Sequence, residues 1–118
     1  MSVTPLELAK VAATAANEKK VEDLVLIDVS GSSDICDYFL ICTAANNRLA
    51  DSVIDEIEEK VGINCAEKPI SIEGREDKTW ILMDYGAVLI NVFLPEQRDY
   101  YRLDKLWGDA PCVALDLD

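Results

Sequence analysis

Two strand-like runs separated by three residues restrict the fold more than any other feature of this chain. Trp80–Asp84 and Val88–Phe93 are both apolar, and they are joined at Tyr85-Gly86, a good signal for a tight antiparallel hairpin. A connection that short can only send the second strand back beside the first. Any sheet built from this chain therefore contains an antiparallel pair. Because helix-like and strand-like segments are interspersed along the sequence, the expected class is α/β with a mixed sheet flanked by helices.

The remaining elements follow from local chemistry. Thr4-Pro5-Leu6-Glu7 opens a helix: Thr4 caps it, Pro5 suits its first position, and Glu7 closes a capping box. Leu6, Ala9, Ala13 and Ala16 recur at helical spacing to about Glu18, with Leu8, Val11, Ala12 and Ala15 widening the face. Asp23–Val29 reads as a strand whose continuous core, Leu24 to Ile27, implies burial on both faces. Ser30-Gly31-Ser32-Ser33 breaks it, and Tyr38–Thr43 is a second strand. Asn46 or Asn47 caps a second helix, with Leu49, Val53, Ile54, Ile57 and Val61 as its buried stripe and Gly62 as its stop. Ile63–Glu73 reads as a weaker strand, placed at an edge by Pro69, and Gly74–Lys78 as a charged turn. After Pro95, two short helical pieces are expected at Glu96–Tyr101 and Leu103–Trp107, ending at Ala110-Pro111. There is no repeat and no linker, so residues 1–118 are expected to form one domain.

Composition narrows the function. The chain holds 11 basic and 23 acidic side chains, a net charge of −12, and no histidine. A strongly acidic domain is repelled by phosphate backbones, so direct nucleic-acid binding is not expected, and a basic partner is favoured. Without histidine, the commonest general base and zinc ligand are missing. Cys36, Cys42, Cys65 and Cys112 show no CxxC spacing; the first three have apolar neighbours and read as buried free thiols. No apolar run approaches the ~20 residues of a membrane span. The N-terminus lacks a secretory pattern, and a reducing cytoplasm is expected. There is no phosphate-binding glycine loop and no sign of a cofactor. Asp34, Asp37 and Asp84 are the one carboxylate set that could hold a metal, but solvated loops explain them better. Gly31-Ser32 resembles the glycine-serine turn of nucleotidyltransferases, yet Tyr38–Thr43, where their Asp-x-Asp pair should follow, has no carboxylate.

Several segments together resemble the ribosomal silencing factor family, also called iojap-like. They are Asp37-Tyr38-Phe39-Leu40-Ile41-Cys42-Thr43-Ala44, Asn46-Asn47-Arg48, Ala50-Asp51-Ser52-Val53, Glu73-Gly74, and Trp80 through Gly86. Val92-Phe93 and Arg98 through Ala110 complete the ordered set, which covers nearly the whole chain. Two positions depart from the pattern: Ala87 stands where an acidic residue is usual, and Asn91 near where the family has histidine. An amide can replace an imidazole as a hydrogen-bonding group but cannot titrate. The resemblance implies a nucleotidyltransferase-like fold without its active site, no enzymatic activity and no cofactor. It also implies binding to large-subunit ribosomal protein L14, a block on joining of the ribosomal subunits when nutrients are scarce, and a homodimer. The alternative is a magnesium-dependent nucleotide-processing enzyme using Asp34, Asp37 or Asp84.

The residues expected to meet a partner are Trp80, Asp84, Tyr100, Tyr101, Trp107 and Asp109. Trp80 opens a strand after a charged turn, where an aromatic side chain is often partly exposed; the core is an equally good place for it. Asp84 and Asp109 can pair with cationic groups, and each also suits a turn or cap. On a helix, Tyr100, Leu103, Leu106 and Trp107 share a face expected to be mostly core, while Tyr101 points elsewhere and is the better surface candidate. Arg48 is expected to tie down the Asp37 loop.

Overall fold

The computed structural model describes residues 3–31, 33–101, 110–115 and 117, with residues 99–101 described by their backbone alone. Helix α1 (Pro5–Glu18) starts as its sequence demands: Thr4 Oγ1 accepts the Glu7 N–H at 3.1 Å, and Glu7 Oε1 accepts the Thr4 N–H at 3.2 Å. Strands β1 (Glu22–Asp28) and β2 (Tyr38–Thr43) follow, then α2 (Asn47–Cys65), capped by Asn46 through a 2.8 Å bond from the Leu49 N–H. Strands β3 (Ser71–Glu73), β4 (Trp80–Asp84) and β5 (Val88–Phe93) lead to α3 (Pro95–Tyr101). The second helical piece expected at Leu103–Trp107 lies outside the described residues.

The five strands form one sheet in the order β1-β2-β5-β4-β3. The β4–β5 hairpin is antiparallel, as its turn requires, with Trp80 opposite Phe93, Leu82 opposite Asn91, and Asp84 opposite Leu89. At the centre, β2 runs parallel to β5, pairing Tyr38 with Val88 through Thr43 with Phe93. The outer pairs β1–β2 and β3–β4 are antiparallel. The sheet is thus mixed, with β3 as the edge strand that Pro69 implied. The other edge, β1, is partly covered: Asp28 donates its N–H to the Pro111 carbonyl, and Val113 donates to that of Leu26.

Strand alternation sorts the core into two layers. Leu26, Leu40, Cys42, Ile81, Met83, Val88, Ile90 and Val92 pack against the alanine face of α1 and the Ala50–Val53–Ile54–Ile57–Val61 stripe of α2. The helix side chains are short, and Ala9, Ala12, Ala13 and Ala16 are fully buried, so α1 lies close against its neighbours. On the opposite face, Ile27, Val29, Cys36, Phe39, Ile41 and Phe93 form a smaller layer joined by Val25, Trp80, Leu89 and Ala110. The run Leu24–Ile27 is consequently divided between both layers, as its continuous hydrophobicity implied.

Three expectations need correction. Helix α2 does not stop at Gly62 but continues to Cys65. Cys65 extends the apolar stripe one turn beyond Val61, and burying it offsets the ~1 kcal/mol penalty of an internal glycine. Ala66 then takes the left-handed capping position, at φ 56°. As a result the strand expected over Ile63–Glu73 shrinks to Ser71–Glu73. Arg48 is exposed and makes no ion pair with Asp37. The Asp37 backbone is already tied, donating to the Ala87 carbonyl at 2.7 Å and accepting from the Val29 N–H at 2.9 Å.

Candidate partner-binding face

Helices α1 and α2 cover one side of the sheet; among the described residues, neither contributes to the layer on the other side. On that second side β4 presents Trp80, Leu82 and Asp84 by simple alternation. All three are half-buried, as is Leu89 on β5. Among the described residues, Leu82 belongs to neither core layer. The result is a strip of aromatic and aliphatic surface on a chain that otherwise carries a large excess of carboxylates.

Trp80 is half-buried, between the exposed and core placements expected for it. Its indole stacks on Phe93, with ring centroids 5.1 Å apart and planes 25° from parallel, so part of it belongs to the core layer. Its Nε1–H donates to Asn91 Oδ1 at 2.9 Å. The backbone is held as well: a Cβ at Gly74 would collide with the Trp80 carbonyl oxygen, so that position, at φ 89°, accepts only glycine. Asn91 itself is fully buried and donates from Nδ2 to the Leu40 carbonyl at 3.4 Å.

Asp84 serves the β4–β5 turn. Its Oδ1 accepts the Gly86 N–H at 2.7 Å, the turn role that its position suggested. Tyr100 and Tyr101 lie in α3, the element that follows β5; their side chains, like Trp107 and Asp109 altogether, lie outside the described structure. Helix α3 is anchored by Arg98, which donates from Nη1 to Thr43 Oγ1 at 3.0 Å at the end of β2. The structure therefore brings Trp80 and Asp84 onto one sheet face, with Leu82 and Leu89 as unforeseen neighbours. Their half-exposure was not readable from an apolar strand pattern. Asn91 was the visible clue, a polar residue inside an apolar run.

Arg75 was also missed. Its guanidinium bonds Asp51 at 2.6 Å and Asp55 at 2.8 Å, fastening the β3–β4 turn to α2. The signal was an acid pair four residues apart on one helical face, matched by an arginine in a nearby charged turn. The hydrogen bonds from Arg75 hold the Asp51 carboxyl below its usual range, and those carboxylates raise Arg75 in turn. Elsewhere, burial pushes the Cys42 thiol up to about 12 and also raises Cys36 and Cys65. Asp34 is exposed, and among the described residues no three cysteine or carboxylate side chains gather as ligands for a cation.

Fold and site together define a small α/β protein with a half-buried aromatic residue on one sheet face and, among the described residues, no cluster of three metal-ligating side chains. A family model described as "Ribosomal silencing factor during starvation" matches residues 2–118. The ribosomal silencing factor RsfS of Bacillus subtilis is 38% identical over 109 residues, which is 92% of each chain. A crystal structure of a Chromobacterium violaceum protein superimposes with a TM-score of 0.86 at 26% identity, covering 98% of this chain and 95% of the other. A more distant mouse relative, 28% identical over 92 residues, is named mitochondrial assembly of ribosomal large subunit protein 1; the match covers 76% of this chain and 40% of the mouse protein. The chain belongs to the ribosomal silencing factor family.

Proposed function

We propose that this chain binds the large ribosomal subunit through ribosomal protein L14 and, by occupying the surface that meets the small subunit, blocks subunit joining and represses translation when nutrients are limiting. The family match over residues 2–118 carries this reading. The sheet face described above supports it physically. Trp80, Leu82 and Leu89 offer apolar area to a partner, and a half-buried tryptophan is well suited to anchor an interface. Ribosomal proteins are generally basic, so a net charge of −12 steers the chain toward exposed basic protein and away from ribosomal RNA. Tyr100, Tyr101, Trp107 and Asp109 extend the docking surface under this reading, Asp84 borders it, and the protein works in the cytoplasm as a homodimer without a cofactor. The relatives are named as silencing factors and not as enzymes, which fits a steric and non-catalytic action.

A steric plug acts by stoichiometry. Light scattering of subunit joining, at rising ratios of protein to large subunit, should show inhibition that saturates near one bound chain per subunit. The protein should pellet with free large subunits and not with small ones. Full inhibition far below stoichiometric amounts, or equal pelleting with both subunits, would sink the proposal.

A further inference from the structure

We infer that Asn91 is a positioning residue for partner binding: its buried carboxamide fixes the Trp80 indole in the orientation the partner meets. The inference rests on the proposal that the Trp80 face is the docking surface. It begins from an anomaly of composition. Asn91 occupies the middle of β5, paired with Ile41 on one side and Leu82 on the other, where an apolar side chain would pack without loss. It is fully buried. Burying an amide there is unfavourable unless its polar atoms are used. Both are: Oδ1 accepts the Trp80 indole N–H at 2.9 Å, and Nδ2 donates to the Leu40 carbonyl at 3.4 Å. The second bond ties the carboxamide to the neighbouring strand, which aims Oδ1 at the indole.

Among the described residues, Trp80 is thereby held from at least two directions. Phe93 stacks against its ring, and Asn91 fixes its rotation at the nitrogen edge. A half-buried indole held only by stacking retains rotamer freedom that binding must remove. One already fixed loses little on docking, so affinity rises without any added contact. The polar group is thus placed on the sheet face that bears the anchor and is spent on the anchor itself.

The test is a double-mutant cycle of Asn91→Leu and Trp80→Phe, read by binding to isolated large subunits. Phenylalanine keeps a ring but has no N–H for Asn91 to hold. Asn91→Leu should weaken binding about three- to tenfold in the native background and have no effect in the Trp80→Phe background. The Trp80 indole N–H resonance, assigned by its loss in Trp80→Phe, should exchange slowly in the native protein. In Asn91→Leu it should shift and exchange fast. If Asn91→Leu fails to unfold cooperatively, Asn91→Val takes its place in the cycle. Equal losses in both backgrounds, or an unmoved indole resonance, would mean that Asn91 only stabilises the fold. If Trp80→Ala weakens binding while Asn91→Leu binds natively, the positioning role alone is overturned. If Trp80→Ala binds natively, the docking face has been misplaced and the positioning role falls with it.

Discussion

The same chemical change, glycine to alanine, should have opposite effects at two positions of this fold. Gly74 precedes β4 at φ 89°, and a Cβ there would meet the Trp80 carbonyl oxygen, with the Trp80 carbonyl carbon at 3.2 Å and Ile81 Cα at 3.3 Å. All three atoms are backbone, so no side-chain rotation relieves the overlap. The left-handed conformation costs an alanine roughly 1–2 kcal/mol. Displacing packed backbone adds about 1–3 kcal/mol. Gly74→Ala should therefore destabilise by about 2–5 kcal/mol, a loss of very roughly 8–20 °C in Tm for a chain of this size. Gly62 sits inside α2, with nothing within 4 Å of an added Cβ. There alanine removes unfolded-state freedom and strengthens the helix, so Gly62→Ala should gain about 0.5–1 kcal/mol. Urea unfolding of both variants beside the native protein, followed by circular dichroism, gives the two shifts in midpoint at constant slope. A Gly74→Ala protein within 0.5 kcal/mol of native, or two variants shifted in the same direction, would refute the reasoning.

Two further outcomes follow from the electrostatics and the thiols. Hydrogen bonds from Arg75 lower the Asp51 pKa in the folded state, so this ion pair stabilises the protein above the unfolded carboxyl's ordinary 3.8 and the benefit fades as pH falls through the lowered folded value. Asp51→Asn should thus melt below the native protein at pH 7, and the gap should narrow as pH falls below the unfolded carboxyl's 3.8; a gap independent of pH would disprove the linkage. Cys112 is the one exposed thiol of the four, whereas Cys42 is fully buried and Cys36 and Cys65 nearly so. A thiol reagent at pH 8 should therefore modify one cysteine quickly in the folded protein and the other three only on unfolding; rapid modification of Cys42 would show that the core opens.

What the sequence disclosed was mostly what local chemistry decides. The capping box at Thr4, the bounds of β2, β4 and β5, and the antiparallel hairpin all follow from residues within a few positions of each other. The failures came where distant packing overruled a local signal. Gly62 looks like a stop, but Val61 and Cys65 have buried sites on either side of it, and the helix runs on to fill them. Arg48 looked free to reach Asp37, whose backbone had already been claimed by Val29 and Ala87 from other elements. The proposed docking face was half legible. Trp80 and Asp84 could be named because each stands at an end of a strand; Leu82 and Leu89 could not, because alternation shows which residues share a side and not which side the helices leave open. Asn91 was noticed as an oddity, but its bond to Trp80 required the register of β4 against β5.

The central parallel pair also has a kinetic meaning. Tyr38 reaches Val88 only after the loop containing α2, β3 and β4 has closed, whereas the β4–β5 hairpin joins residues a few positions apart. Loop closure becomes more entropically demanding with length, and long-range pairings slow folding. The sheet is thus two locally formed pieces, β1–β2 and β3–β4–β5, with their slowest contact at the middle. Asn91 stands on that seam, bonded to Leu40 on one side and to Trp80 on the other. Trp80 meets Asn91 and Phe93 within the hairpin, but the Asn91 carboxamide gains its second bond, to Leu40, only when the two halves of the chain have met.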